Sequence, residues 1–319
     1  MKEKNAPSGM FAVIIALAAN VLVAISKFIG FLLSGSTAMM NESIHSFIDC
    51  SNQILLLVGN KKATTGQSEL HQFGEARAKY FYSTIVAMML FFGGGALGVY
   101  EAIEKLLHPS HEISNIYLII GILIFGLIVE GSSLRVAFKE IKELNIDKLP
   151  LFKFLKESRH SEILVIFAED TCAVVGLLLA LLGTTLTLVT NNAMFDALSG
   201  LLIGLLLMGV SIVLAREFYS LMIGESVTKT DLKTIMLSFN RKDVDRVIDI
   251  KTVHLGPTEI LVAAKIDLVD KYNYLAHDII NDIEKEIRST MPDKKIYIYI
   301  ETDQYDPDYD KKKLNESNK

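Results

Sequence analysis

Four residues carry the first chemical signal. His45 and Asp49 lie four apart in a hydrophobic stretch over about residues 37–59, and Glu169 and Asp170 adjoin one another in a second such stretch. On a helix, His45 and Asp49 sit one turn apart on the same face. Imidazole and carboxylate at that spacing form a two-point claw for a borderline divalent cation such as zinc. Ionisable groups deep in apolar helices are expensive and mark a pathway, a proton relay or a metal site. The plainer alternative is a polar pair that staples two helices together, and for one pair alone the two readings balance.

Composition says what kind of scaffold must hold these groups. Half of the 319 residues are hydrophobic and the mean hydropathy is +0.35, too apolar for an ordinary soluble chain of this size. A formal net charge of −5 argues against a nucleic-acid partner. Two cysteines, Cys50 and Cys172, supply neither a disulfide framework nor a paired-cysteine zinc motif. The apolar run after Lys2 and Lys4 is too long for a signal-peptide core and reads as a retained first span.

Six segments reach the roughly 20 residues that a bilayer crossing needs: about 10–33, 37–60, 79–106, 115–138, 161–189 and 194–222. Basic residues set their orientation. Lys2 and Lys4 precede the first span; Lys61, Lys62, Arg77 and Lys79 join the second to the third. Lys139, Lys142, Lys148, Lys153, Lys156 and Arg159 join the fourth to the fifth, whereas the loops at 34–36, 107–114 and 190–193 carry no lysine or arginine. This asymmetry puts both termini in the cytoplasm.

Depth follows from orientation. His45 and Asp49 lie about 8 and 12 residues from the outer end of the second span, near the midplane at about 1.5 Å per residue. Glu169 and Asp170 reach a similar depth from the opposite side of the fifth span, and Asn20 does so in the first. Three carboxylates in one apolar layer repel unless a dication or shared protons intervene, which favours the metal reading over the staple. Helical phase sets Glu169 on a small-residue stripe with Ala173, Gly176, Ala180 and Gly183, and turns Asp170 by about 100°. Phase therefore favours Glu169 as the inward group, with both within reach of a central cavity.

The remaining polar groups divide more evenly. Lys27 fits a structural ion pair with Glu42 or Asp196. Glu130 fits the cytoplasmic vestibule of the fourth span or neutralisation by Arg135 or Arg216. Gly93, Gly94, Gly95 and Gly98 suit close helix contact. His108, His111 and Glu112 read as ordinary loop residues, and the two cysteines as small buried hydrophobes.

After residue 225 the pattern changes. Residues 231–239 suggest a short helix, and 247–255 and 260–268 suggest strands around Gly256-Pro257-Thr258-Glu259. Leu275, Ile279, Ile280, Ile283 and Ile287 make a helical stripe, and Ile296, Ile298 and Ile300 alternate in a third strand. The expected fold is an all-α six-helix transmembrane domain over 1–225, then a small α+β domain of order αββαβ over 226–303. The stretch 304–319 reads as a disordered tail.

This arrangement resembles the cation diffusion facilitator family along nearly the whole chain. Gly35-Ser36-Thr37-Ala38 followed by Glu42-Ser43-Ile44-His45-Ser46-Phe47-Ile48-Asp49 is similar to its second-helix signature, and His71-Gln72-Phe73-Gly74 to its cytoplasmic loop. Phe73-Gly74-Glu75, Gly93-Gly94-Gly95, Tyr100-Glu101, Leu106-Leu107-His108-Pro109, Glu169-Asp170-Thr171 and His254-Leu255-Gly256-Pro257 resemble the branch containing the ninth human zinc transporter. The resemblance implies a homodimer in membrane lipid that exports divalent metal in exchange for protons, with a ferredoxin-like cytoplasmic domain. It implies no enzymatic activity and no permanently bound cofactor. Zn²⁺, or Mn²⁺, Fe²⁺ or Co²⁺, is then the transported substrate.

The family's midplane ligands fall on His45, Asp49 and Asp170, while a histidine position is filled here by Ile166, which leaves Glu169 as a substitute. A second-loop site is half kept in His71 and Glu75. In the cytoplasmic domain His277 matches a ligand position, but Lys265 and Tyr299 replace its companions. The implied location is a bacterial plasma (inner) membrane, crossed several times. A non-transporting membrane-anchored metal sensor or scaffold is the competing class, and it would need the cytoplasmic ligands that are depleted here. A channel fits less well, because a tight four-ligand site holds an ion too long for fast conduction.

Overall fold

The computed structural model describes residues 7–108, 115–145, 149–157 and 160–308. Lys2, Lys4, Lys148, Arg159, His111, Glu112 and the tail from 309 onward lie outside them. Two compact units emerge, one built from residues 1–65 and 78–219, the other from Gly66–Arg77 and Ser220–Lys319.

The first unit is helical: α1 (Pro7–Ser34), α2 (Thr37–Ala63), α3 (Ala78–Leu107), α4 (Ile116–Leu144), a short α5 (Leu151–Glu157), α6 (Ser161–Thr190) and α7 (Met194–Ile223). Within the described residues α3, α4, α6 and α7 are long and apolar enough to cross a membrane, and α1 contributes a shorter apolar length over Asn20–Ser34. Helix α2 is diluted by the polar residues that matter most. Asn41, Glu42, Ser43, His45, Ser46 and Asn52 are all buried, while Phe47, Ile54, Leu57 and Val58 of the same helix are exposed. Polar inside and apolar outside is the amphipathicity of a helix whose surroundings are hydrocarbon.

Tight turns set the helix ends. Gly35 has φ of 68°, a left-handed conformation that closes α1 and lets α2 start at once. The Ser36 hydroxyl caps α2 by accepting from the Met39 N–H at 3.1 Å. Asp196 of α7 accepts from the Ser36 hydroxyl at 2.5 Å and from the Thr37 N–H at 2.6 Å, so a carboxylate sits at the positive end of α2. This corrects the expectation that Asp196 might serve Lys27.

Helix α3 is not uniform. Leu90–Ala96 is a π-helical turn spanning the three consecutive glycines. A methyl added at Gly95 would stand 2.9 Å from the Met208 backbone nitrogen, and one at Gly204 would stand 2.9 Å from that of Val99. The backbones of α3 and α7 therefore touch directly, as the small-residue reading anticipates.

The second unit holds α8 (Lys229–Leu237), β1 (Val244–His254), β2 (Glu259–Leu268), a 3-10 turn over Asp270–Leu275, α9 (Ala276–Thr290) and β3 (Lys295–Thr302). The strand order is β1-β2-β3; β1 pairs antiparallel with β2, and β2 parallel with β3. Ile260, Val262, Ala264, Ile266 and Leu268 all point into a core closed by Ile279, Ile283 and Ile287 of α9. Ile280 is only partly buried, and Leu275 lies in the 3-10 turn rather than on the helix. Gly66–Arg77 packs on this unit. Phe73 meets Tyr297 edge-on at 5.2 Å, Gln67 donates to the Tyr297 hydroxyl at 3.0 Å, and Arg77 donates to the His254 carbonyl at 3.3 Å.

Candidate metal centre

Helix α2 presents two adjacent polar stripes. His45, Asp49 and Asn52 recur at helical spacing on one of them. Glu42 and Ser46 make the other, about 100° round.

On the first stripe, His45 is 1% exposed and its Nε2 lies 3.6 Å from Asp49 Oδ2. That distance is too long for a hydrogen bond. Both ring nitrogens of His45, Oδ1 of Asp49 and Oδ1 of Asn52 are buried with no hydrogen-bond partner. Buried polar atoms normally find partners, so four orphans along one stripe mark a place built for something else. Asn52 donates to Oε1 of Glu169, which brings the α6 carboxylate onto this stripe. Asn52 escaped the sequence reading, although its place seven residues beyond His45 is a usable signal.

Glu169 and Asp170 separate as helical phase requires. Glu169, 7% exposed, faces α2. Asp170 faces α4 instead, where its Oδ2 accepts from the Ser133 hydroxyl at 2.8 Å. Asn20 is partly buried and stands apart from these hydrogen bonds. Among the described residues, no three His, Cys, Asp or Glu side chains stand together as a finished metal cage. The structure thus brings His45, Asp49 and Glu169 to one stripe and leaves Asp170 beside it on α4.

The second stripe holds a charge cluster. Lys27 of α1 is fully buried and donates to Glu42 Oε2 at 3.0 Å and to the Ser46 hydroxyl at 2.9 Å. Its ammonium also stands 3.7 Å from Oε1 of Glu130 on α4. The Lys27–Glu42 pair matches one of the two expected partners. For Glu130, Lys27 replaces Arg135 and Arg216 as the neutralising group, across a separation that sequence spacing could not reveal.

The peripheral candidates are less organised. His71 Nδ1 lies 3.5 Å from Glu75 Oε1, with 49% of the histidine side chain exposed. The His277 side chain is 75% exposed, and its nearest acid is the adjacent Asp278 at 3.2 Å. Lys265 lies 3.2 Å from Glu301 and 2.9 Å from Asp303, and these two carboxylates raise the pKa of its ammonium, Asp303 most. A fixed cation thus occupies that sheet position. Cys50 and Cys172 are free and buried.

Comparison with known proteins agrees with this geometry. Residues 13–223 match the cation efflux transmembrane domain family. The chain is 29% identical over 293 residues to the human mitochondrial proton-coupled zinc antiporter SLC30A9, covering 90% of this chain and 51% of that protein. It is 28% identical over 268 residues to metal tolerance protein C4 of Arabidopsis thaliana, covering 83% and 58%. An uncharacterized transporter of Methanocaldococcus jannaschii is 22% identical over 305 residues, 94% of this chain and 99% of the relative. The chain spans about half the length of the antiporters it matches.

Proposed function

Given that this chain belongs to the cation efflux family, we propose that it is an integral-membrane carrier exchanging a divalent cation, zinc foremost, for protons. His45, Asp49 and Glu169 bind the cation, with Asp170 the next carboxylate in reach. In this reading α1, α2, α3, α4, α6 and α7 are six spans, both termini are cytoplasmic, the αββαβ unit is ferredoxin-like, and the working form is a homodimer in lipid. The observation that carries the proposal is the row of unpartnered buried atoms on α2, above all both ring nitrogens of His45. A dication satisfies them, and only when imidazole and carboxylate are deprotonated, so metal and protons take turns at one place. Rocking of the bundle then exposes that place to alternate sides.

One nitrogen and several oxygens also suit Mn²⁺, Fe²⁺ and Co²⁺, so selectivity is the open variable. The sensor alternative draws no support from the sheet unit, where His277 is exposed and gathers no ligand set among the described residues. The test is uptake into proteoliposomes under a pH gradient, with Zn²⁺, Mn²⁺, Fe²⁺ and Co²⁺ compared. Gradient-driven Zn²⁺ uptake that disappears in Asp49→Asn supports the proposal. Absence of uptake for all four metals by the wild-type chain refutes it.

A further inference from the structure

Lys27 is coordinated as a metal ion would be, by three oxygens from two helices: Glu42 Oε2 at 3.0 Å, Ser46 Oγ at 2.9 Å and Glu130 Oε1 at 3.7 Å. The three contacts are unequal. Glu42 is locked: one oxygen accepts from Lys27, and the other occupies the space that a side chain at Gly176 of α6 would need. Glu130 is held by charge alone, since 3.7 Å lies beyond hydrogen-bond length. Glu130 also points its field the other way. Among charged neighbours it acts most strongly on both Asp49 and Asp170. Beside it wait the orphaned nitrogens of His45 and the orphaned oxygen of Asp49.

From this geometry we infer that Glu130 is a further cation-binding carboxylate, held by the Lys27 ammonium when the centre is empty and surrendered to the dication on loading. The inference rests on the transport reading above and adds a residue to it. A dication attracts a carboxylate more strongly than an ammonium does at equal distance. Glu130 would bring the donor set on His45, Asp49 and Glu169 to the four that tetrahedral zinc requires. Loading breaks the Lys27–Glu130 contact, and unloading restores it. Lys27 therefore limits how tightly cargo is held and aids release, whereas Glu42 stays fixed throughout.

The test is isothermal titration of the full chain in detergent with Zn²⁺ alone. Glu130→Gln should weaken binding by about tenfold to a hundredfold, the value of one charged ligand contact. Glu130→Asp, which keeps the charge but shortens the reach, should fall between. Lys27→Met combined with Glu42→Gln removes the competitor and its fixed partner together; affinity should rise, and adding Glu130→Gln should cancel the rise. Should the double variant fail to fold, Glu130→Gln and Glu130→Asp decide the matter alone. Wild-type affinity in Glu130→Gln, with binding lost in Asp49→Asn, makes Glu130 a structural strut and overturns the inference while sparing the transport reading. Wild-type affinity in Asp49→Asn as well overturns both.

Discussion

Two glycines on α7 should respond oppositely to the same substitution. A methyl at Gly204 would meet the Val99 backbone nitrogen at 2.9 Å and the Gly95 carbonyl oxygen at 3.1 Å. Neither obstacle is a side chain that can rotate aside, so α3 and α7 must separate. Overpacking costs about 1–3 kcal/mol, and a backbone obstacle puts this site near the upper end. Alanine returns about 1 kcal/mol of helix propensity, leaving Gly204→Ala destabilised by roughly 2 kcal/mol.

Gly209, little more than a turn further along α7, has no heavy atom within 4 Å of the same methyl position. Gly209→Ala should keep the propensity gain of about 0.5–1 kcal/mol. At about 2–4 °C per kcal/mol, Gly204→Ala should melt roughly 4–8 °C lower, and Gly209→Ala slightly higher, than wild type. Cys50 and Cys172 are both buried, so a thiol-reactive fluorophore reports unfolding as the detergent-solubilised chain is heated. Gly204→Ala melting at or above Gly209→Ala would refute the direct backbone contact.

Other consequences are more local. Glu169→Gln should cost more Zn²⁺ affinity in titration calorimetry than Asp170→Asn, because Glu169 shares the α2 stripe while Asp170 bonds Ser133; the reverse order would return the role to Asp170. Zn²⁺ affinity should fall steadily on acidification as protons compete for His45 and the carboxylates, and a flat profile from pH 8 to 5 would count against that competition.

Lys27→Met alone should destabilise the chain far more than Lys27→Met with Glu42→Gln, about 3–5 kcal/mol against near neutrality, since the single change strands a buried charge; equal melting temperatures would contradict this. In the sheet unit, hydrogen bonds from Arg241 hold the Asp243 carboxyl below its ordinary value of 3.8. A depressed carboxyl stabilises above the unfolded value and loses that contribution as pH falls through the folded one. The melting-temperature gap between wild type and Arg241→Gln should therefore be open at pH 7 and shrink below about pH 4.

The helices were largely legible because long apolar runs and αL-compatible breaks such as Gly35 leave few alternatives for where the chain turns. Depth was legible too, and helical phase alone separated Glu169 from Asp170. The π-helical turn at Leu90–Ala96 was not: Gly93, Gly94 and Gly95 announce a close approach, but not the change of hydrogen-bond register inside the helix. Nor could spacing pair Lys27 with Glu130, since partners on different helices are set by bundle packing. Asn52 was overlooked because an amide in an apolar helix reads as packing until a neighbour such as Glu169 gives it a task.

The loop Gly66–Arg77 leaves α2 early in the chain, yet its partners come late. Gln67 and Tyr297 are 230 residues apart, a gap that takes roughly 10–45 s to synthesise at about 5–20 residues per second. For that interval the loop has been made but its seat has not. Helices α2 and α3 are complete throughout, with an unseated connection between them. A chain that stalls before β3 is finished keeps it so, and a protease would find Phe73, Arg77 and their neighbours without the contacts that Tyr297 and His254 later supply. Quality control could thus read completion of the last strand from a segment made near the start.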